Sequence, residues 1–544
     1  MTKDLLTNQY RLWFIVILST AAFVRLAFLG YSTLTDEEAQ VAEFVAYVLP
    51  CLKELSFSEA MWRQLHLYPD NKNPFLNLYP INIPIVWFFG LSEFNIRVEA
   101  AIGGFLSCIL IYFLVLRRSD KKTALFAMAL VALNPFMITF NRYALGDSLQ
   151  TAIFLLGLFF IDRFLEKRRV ILLVLCSLCF AISFLLKANA IIFICLAMFL
   201  YYVYLRLRLR DIGIILVGSI VTVTVPFLDQ LNVFLPSIAY WSEFPSLTGE
   251  LKEGGIRELL MARILKSWFY TRAHVFYFEH TVFPLLVGLL FFKEIENKFF
   301  RVLLLFGILY FLALYVPGRT FFRYMQFGMI MTSAAFAFVL ARFADKRYSY
   351  IGSALLVLFL FWGLVAHGNY FFSQYHHVPY RYIKQRIGEL RGSARVLIYG
   401  ANHEAGHYLS PTSYLWFVEA VDPCRVPVTF SSAEFSERSH GVQTIPADLS
   451  VLLDPNAVRR GDLLLVAGTQ MSGGEPNPLS LGIKKWGITL WGIRQYGHGY
   501  LKDVRAFYEE YKGNKRLQDQ YVLLEKVYLS NGSDELAALI LKKT

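Results

Sequence analysis

Charge is scarce in this chain: only 17% of its 544 residues are Asp, Glu, Lys or Arg. That scarcity excludes a disordered, solvating polypeptide. Combined with 56% hydrophobic and 16% aromatic residues, and a mean hydropathy of +0.46, it excludes an ordinary soluble globule. Cysteine is also sparse, at six residues, so no disulfide scaffold holds the fold. Cys108, Cys176, Cys179 and Cys195 fall in apolar segments, where a thiol behaves as a small hydrophobe. Cys176 and Cys179 spell CxxC, but inside a spanning helix that spacing argues for neither redox nor zinc chemistry. Cys51 and Cys424 could face an oxidising compartment, and nothing indicates that they pair. Internal repeats and low-complexity tracts are missing, and no small-residue cleavage site follows the first apolar segment. That segment reads as a retained helix rather than a removed signal peptide.

What the chain does have is long apolar stretches. Those able to span a bilayer, or nearly so, are about 12–30, 95–116, 123–141, 148–165, 170–186, 188–205, 212–228, 281–292, 301–317, 322–341 and 350–368. The expectation is a mainly α, polytopic membrane protein with about eleven transmembrane helices. Stretch 281–292 is short, and Val86 to Leu91 reads as a re-entrant or surface piece.

The net charge of +12 is a matter of topology rather than of nucleic-acid binding. Lys3 and Arg11 precede the first span, and basic clusters recur at 117–122, 167–169, 206–210, 293–301 and 342–347. They fall on alternate loops, so the N-terminus is expected in the cytoplasm. Loops 31–94 and 229–280 and the C-terminal region then face outside. In the second of these loops Gly255 to Tyr270 has helical periodicity, with Ile256, Leu259, Leu260, Ile264 and Phe269 on one face, and reads as a helix lying on the membrane. After about residue 370 short β-like runs appear at Arg395–Tyr399, Val426–Phe430, Leu463–Val466 and Tyr521–Glu525. The division expected is a membrane domain over 1–370 and a soluble extracytoplasmic α/β domain over 371–544.

The first external loop opens on Thr35-Asp36-Glu37-Glu38, which places three carboxylates at the membrane surface. Thr35 and Glu38 form a capping-box pattern, and Asp36 and Glu37 suit a first helical turn, for a helix running from Asp36 to Leu49 and stopping at Pro50. Capping alone accounts for Glu37 and Glu38. Asp36 has more unusual neighbours on the same side of the membrane. These are Lys72-Asn73-Pro74, Arg97, the loop with Asn141, Arg142 and Asp147, then Lys187, and then Arg319, Arg323 and Tyr324. Each basic residue could simply snorkel to headgroups. As a set beside an acidic helix start they form an anion pocket with a base next to it.

These stretches resemble, in order, the motifs of the GT-C class of membrane glycosyltransferases, in the protein mannosyltransferase and lipid A aminoarabinose transferase branch. "VRLAFLGYSTLTDEEAQ" is similar to the family's Arg-bearing end of the first helix followed by Asp-Glu. "NKNPFLNLYP" is similar to its Lys-Pro-Pro-like turn, and "FNIRVEAAIGG" to its Arg-bearing helix start. "LNPFMITFNRYALGDSLQ", "FLLKANAIIF" and "RTFFRYMQF" resemble its second-loop, Leu-Thr-Lys and late Arg-Tyr motifs. The resemblance covers 10–200 well, 315–341 moderately, and 205–315 and the outer domain loosely. The chain departs from it with Asn73 for the first Pro of the turn and Leu186 where Thr is common.

The resemblance implies inverting transfer of a sugar from a polyprenyl-phosphate donor to a hydroxyl of a glycan, lipid or protein acceptor, at the external face of a bacterial inner membrane. Asp36 matches the catalytic aspartate, a general base for the acceptor hydroxyl. Lys72, Lys187 and Arg323 match phosphate-binding positions. Asp147 matches the second-loop aspartate, which orients the acceptor or a basic partner. Arg97 and Arg142 match structural partners of nearby carboxylates, with Glu37 and Tyr324 in support. Some relatives use a divalent metal and others do not, so a metal stays open, with Glu279 and His280 as the pair to consider.

Two other functions compete. A lipid or sugar transporter would use the same charged cavity, but no inverted repeat or pair of broken helices supports it. A membrane-anchored zinc peptidase would use His403-Glu404-Ala405-Gly406-His407, a literal HExxH. That stretch follows a strand and a turn rather than opening a clear helix, and no third-ligand pattern follows, since positions 410 and 413 are both Ser.

Overall fold

The computed structural model describes residues 2–30, 81–187, 189–225, 282–314, 322–345, 380–392, 394–399, 442–445, 448–467, 476–478, 494–496, 501–528 and 536–544, with isolated helical positions between 38 and 49 and between 354 and 361. The expected helix over 255–270, the strand over 426–430 and the HExxH of 403–407 lie outside these residues.

The chain is mainly helical. In order come α1 (Thr2–Leu26), α2 (Asn82–Phe89), α3 (Glu93–Leu116), α4 (Lys121–Ala132), α5 (Pro135–Phe140), α6 (Asp147–Lys167), α7 (Val170–Leu186), α8 (Ala190–Leu205), α9 (Leu209–Thr224), α10 (Val282–Leu290), α11 (Lys298–Leu314) and α12 (Gln326–Asp345). A 3-10 turn, Phe322–Met325, leads into α12. Four described stretches are long and apolar enough to cross a bilayer: Asn8–Leu26, Glu93–Leu116, Asp147–Lys167 and Gln326–Phe343. The apolar helices α7 and α8 are shorter.

One expected span is divided. Stretch 123–141 is not a single helix, because Asn134 and Pro135 break it between α4 and α5. The Asn134 side chain accepts from the Met137 N–H at 3.0 Å, and Pro135 takes the first helical position, where it needs no N–H partner. The stretch expected to be re-entrant or surface is the short helix α2, stopped by Gly90 at a φ of +79°.

Lipid offers little hydrophobic drive between helices, so close fit decides the packing. Aromatic rings fill the centre. Phe193 and Phe327 stack at 4.5 Å between α8 and α12, and Phe154 and Phe180 stack at 4.9 Å between α6 and α7. Fit is tightest at Gly103 and Gly104 of α3. A Cβ on Gly103 would lie 2.3 Å from the Leu149 nitrogen, and one on Gly104 would lie 2.2 Å from the Asn141 amide. Gly103 lets α3 touch the backbone at the start of α6, and Gly104 makes room for the Asn141 side chain at the end of α5.

The C-terminal part contains a five-stranded mixed sheet. Its strands are β1 (Val396–Tyr399), β2 (Val442–Ile445), β3 (Leu463–Ala467), β6 (Tyr521–Tyr528) and β7 (Leu536–Lys543), ordered β2-β1-β3-β7-β6. β1 runs parallel to β2 and β3, whereas β7 is antiparallel to β3 and β6. β4 (Pro476–Pro478) and β5 (Arg494–Tyr496) pair separately. Ile398, Leu463, Leu465 and Ile540 pack under the helix Tyr380–Arg391 on one face, and Leu464, Val466, Leu539 and Leu541 pack against Val504, Phe507 and Leu517 on the other.

At the end of β7 Lys543 is buried, and no carboxylate among the described residues pairs with its ammonium. Its Nζ donates to the Leu452 carbonyl at 2.9 Å and to Gln520 Oε1 at 2.7 Å, over the Tyr521 ring. Burial pulls its ammonium below the ordinary lysine value. A lysine lowered in this way costs stability below its folded pKa, and the cost fades as pH rises toward the unfolded value of about 10.4. The stability of the wild type relative to Lys543→Met is therefore expected to rise as pH climbs through the lowered lysine pKa toward about 10.4. Calorimetry on both full-length proteins checks this; a difference that is flat or falls with pH counts against it.

Candidate functional site

The site is built where α1, α3, α6, α7 and α12 bring their ends together. Glu38 and Arg97 are both buried. The guanidinium forks onto the carboxylate, with Nε to Oε1 at 2.7 Å and Nη2 to Oε2 at 2.7 Å. The third arm, Nη1, donates to the Leu29 carbonyl at 2.9 Å, and Glu38 Oε1 also accepts from the Ala144 N–H at 2.9 Å. Four segments therefore meet on one ion pair: the turn after α1 at Leu29, the helical positions from Glu38, the first turns of α3 and the loop before α6. Glu38 continues with Val41, Ala42 and Val45 as helical, buried positions, a spacing that lays one face against the bundle. The carboxylate read as a helix cap is thus a buried clamp. Asp36 and Glu37 lie outside the described residues.

Three residues beyond Ala144, Asp147 opens α6, where a carboxylate meets the positive end of the helix. Both its oxygens accept from Lys187 Nζ, at 2.9 and 3.0 Å. Lys187 caps the C-terminus of α7, and its ammonium lies 4.6 Å from the Tyr324 ring centroid. Desolvation at this distance strengthens both contacts. Side-chain exposures of 17% for Lys187 and 5% for Asp147 leave one edge of the pair accessible. Gln150 fixes the lysine's turn, donating from Nε2 to the Lys187 carbonyl at 2.6 Å and to Asn189 Oδ1 at 2.8 Å. Tyr310 fixes the other wall, donating its hydroxyl proton to the Tyr324 carbonyl at 2.8 Å. That bond holds the 3-10 turn on which Arg323 sits; the arginine's side chain lies outside the described residues.

Arg142, from the same loop, donates through Nη1 to the carbonyls of Val24 and Arg25 at 2.9 and 3.2 Å, tying the loop to the end of α1. Of the residues singled out from sequence, the structure brings Asp147, Lys187 and Tyr324 together, and Arg97 and Arg142 onto the clamp and loop beside them. Lys72, Glu279 and His280 lie outside the described residues. Among the described residues no three His, Cys, Asp or Glu side chains form a metal-ligand group.

Several residues behind the site have contacts that the sequence does not specify. Arg25 is fully buried in α1. Its Nε donates to Asn141 Oδ1 at 3.0 Å, and its Nη atoms donate to the carbonyls of Ala132, Ala21 and Val131 at 3.0 to 3.3 Å. Two of these carbonyls belong to the last turn of α4, freed where Asn134 and Pro135 end the helix, so the break and the arginine form one device. Asn141 passes the contact on, donating to Ser148 Oγ at 2.9 Å and Gln326 Oε1 at 3.0 Å. Glu99 Oε2 accepts from the N–H groups of Ile81 and Asn82 at 3.0 Å and so caps α2. The available signals were an ionisable residue inside an apolar segment, for Arg25, and a Gly-Gly pair in mid-helix.

Residues 73–228 match the family described as dolichyl-phosphate-mannose-protein mannosyltransferase. A search of curated proteins finds no match by sequence. Among solved structures, ArnT from Cupriavidus metallidurans bound to undecaprenyl phosphate superposes with a TM-score of 0.53 at 12% identity, over 97% of this chain and 98% of that one. ArnT of the same organism in the apo state gives 0.48 at 13% identity, over 84% and 93%. The Archaeoglobus fulgidus oligosaccharyltransferase tethered with an acceptor peptide gives 0.44 at 12%, over 75% and 63%.

Proposed function

We propose that this chain, which has the fold of the GT-C membrane glycosyltransferases, moves a sugar from a polyprenyl-phosphate donor to an acceptor hydroxyl with inversion at the anomeric carbon. The observation that carries the reading is the Asp147–Lys187 pair against Tyr324, beside the Glu38–Arg97 clamp. It is a half-open corner that presents a partly exposed ammonium held by one carboxylate, in a fold that in ArnT is found with undecaprenyl phosphate bound.

The roles follow from the chemistry. Asp36, two residues before the clamp, takes the proton of the acceptor hydroxyl as its oxygen attacks the anomeric carbon. The bond from that carbon to the phosphate oxygen breaks, and the electron pair leaves with the polyprenyl phosphate. Phosphate is a good leaving group, so cations to hold its developing charge suffice in place of a general acid. Lys187 supplies one, and Lys72 and Arg323 are assigned the same work. Asp147 keeps the Lys187 ammonium aimed until a phosphate oxygen shares it. The alternation of basic loops supports a site on the external face and an N-terminus in the cytoplasm.

The test uses full-length protein in detergent with a panel of radiolabelled polyprenyl-phosphate sugars and candidate glycan, lipid and protein acceptors. Free polyprenyl phosphate released together with labelled acceptor supports the reading. Donor that crosses the bilayer of reconstituted vesicles with its sugar still attached overturns it in favour of transport. Lys187→Gln is expected to weaken productive donor binding about 10- to 150-fold, the worth of a hydrogen bond to a charged group of about 1.5–3 kcal/mol. The loss is read as a rise in KM for the donor with a smaller change for the acceptor. An unchanged donor KM would remove Lys187 from the phosphate site.

A further inference from the structure

On the outside of the bundle a groove of about 690 Å³ runs between α7 and α9, a volume within the range of about 300–1,000 Å³ usual for small-molecule sites. Val174 and Leu178 form one wall, Val217 and Val221 the other, Gly213 the floor, and Arg210 stands at one end. Its shape follows from two glycines. At Gly218 a Cβ would strike Ser177 Oγ at 2.8 Å, so the helices touch there. The Ser219 hydroxyl closes the contact by donating to the Ser177 carbonyl at 3.1 Å. At Gly213 a Cβ would meet nothing within 4 Å, so the helices part. The nearby hydroxyls are used inside the protein, Ser177 on the Leu173 carbonyl and Thr222 on the Gly218 carbonyl, which leaves apolar walls.

The end of the groove at Arg210 is basic. The turns into α7 and α9 carry Lys167, Arg168, Arg169, Arg206 and Arg208 beside it. None of these six forms an ion pair with a carboxylate among the described residues. Of the nearby acids, Asp162 and Glu166 hold Arg117, and Asp211 caps the start of α9 by accepting from the Arg208 backbone N–H. An apolar channel that ends beside six cations, which outnumber the acids at that end, is complementary to one kind of molecule, an anionic lipid. From Arg210 to Thr222 the channel is about 18 Å long at 1.5 Å per residue, the scale of one acyl chain.

We infer that this groove holds one acyl chain of an anionic diacyl phospholipid, with the headgroup phosphate on Arg210 and its basic neighbours. The occupant is distinct from the sugar donor. Lys187 stands at the other end of α7, about 26 Å along the axis from its basic start. The lipid packs α7 against α9 and so supports the helix whose far end carries Lys187. The inference stands independently of the sugar-transfer reading, because its test measures lipid binding alone.

The experiment is retention of phosphatidylglycerol against phosphatidylcholine of identical chains by full-length protein in detergent, followed by native mass spectrometry and fluorescent-lipid titration. Phosphatidylglycerol is expected to bind at least tenfold more tightly, and Arg210→Gln to remove most of that preference. Gly213→Leu is expected to cut phosphatidylglycerol binding at least tenfold. Its side chain fills the groove from an open position and replaces a poor helix former. Val217→Trp blocks the channel from the wall if the first variant folds badly. Equal binding of the two lipids, or full binding by a folded Gly213→Leu or Val217→Trp protein, overturns the inference. Displacement by glycerol phosphate would reduce the site to a simple anion site, and preferential displacement by undecaprenyl phosphate would assign it to the donor; either result also overturns it.

Discussion

Asp36→Asn is expected to lower the turnover of sugar transfer by about 10²- to 10⁴-fold, the usual contribution of a positioned general base. The substitution keeps shape and loses the ability to take a proton. Asn is also tolerated at a helix start, so the local fold has no reason to change. Donor binding rests on the cations and should persist, so the loss falls on kcat while the donor KM moves little. Release of radiolabelled polyprenyl phosphate, measured side by side with donor retention, reads both quantities. A variant that transfers at more than about a tenth of the wild-type rate removes Asp36 as the base. A variant that neither transfers nor retains donor points instead to a carboxylate that helps to hold the site's cations, and leaves the base to be found elsewhere.

Breaking the Glu38–Arg97 clamp is expected to cost about 3–5 kcal/mol, because removing one partner leaves the other charge buried without compensation. Glu38→Gln keeps an oxygen for the Ala144 N–H but strands the guanidinium, and Arg97→Met strands the carboxylate. The exchange of the two, Glu38→Arg with Arg97→Glu, separates a clamp from a simple ion pair. It restores the charges, yet arginine at 38 has no acceptor for the Ala144 N–H, and glutamate at 97 cannot donate to the Leu29 carbonyl. The double variant should therefore remain at least half as destabilised as the singles. Thermal unfolding of the detergent-solubilised chains decides the matter: single variants within about 1 kcal/mol of wild type, or full rescue by the exchange, contradict the role assigned to these bonds.

The two readings differ in how much of them sequence could reveal. The helices were legible wherever an apolar run met an ordinary boundary, as at Val170–Leu186, which falls on its expected limits. The break at Asn134-Pro135 was missed because hydropathy continues unbroken through it, while the cap that causes it is a single side-chain bond. In the sheet, β3 announced itself as four apolar residues in a row. β7, between β3 and β6, is likewise apolar and buried on both faces, but its Leu-Ala-Ala-Leu opening favours a helix over a strand and hides it. Asp147, Lys187 and Tyr324 stood out because ionisable groups at the ends of apolar segments are rare. The network behind them did not. Arg25 reaches Asn141 across 116 residues and Asn141 reaches Gln326 across 185, and no local pattern encodes such distances. Glu38 could be seen but not understood: a capping box and a buried clamp begin from the same letters, and only the position of Arg97 separates them.

Arg25 has one more consequence. Its partners are carbonyls and an amide, so its charge is shared among dipoles and is not cancelled by an opposite charge. A guanidinium keeps its proton at any pH a cell survives. The bundle therefore carries a fixed positive pole that acidification cannot switch off, unlike a field that depends on the ionisation of carboxylates. An anion approaching this end of the protein would meet the same pull from that pole in acid as in neutral medium.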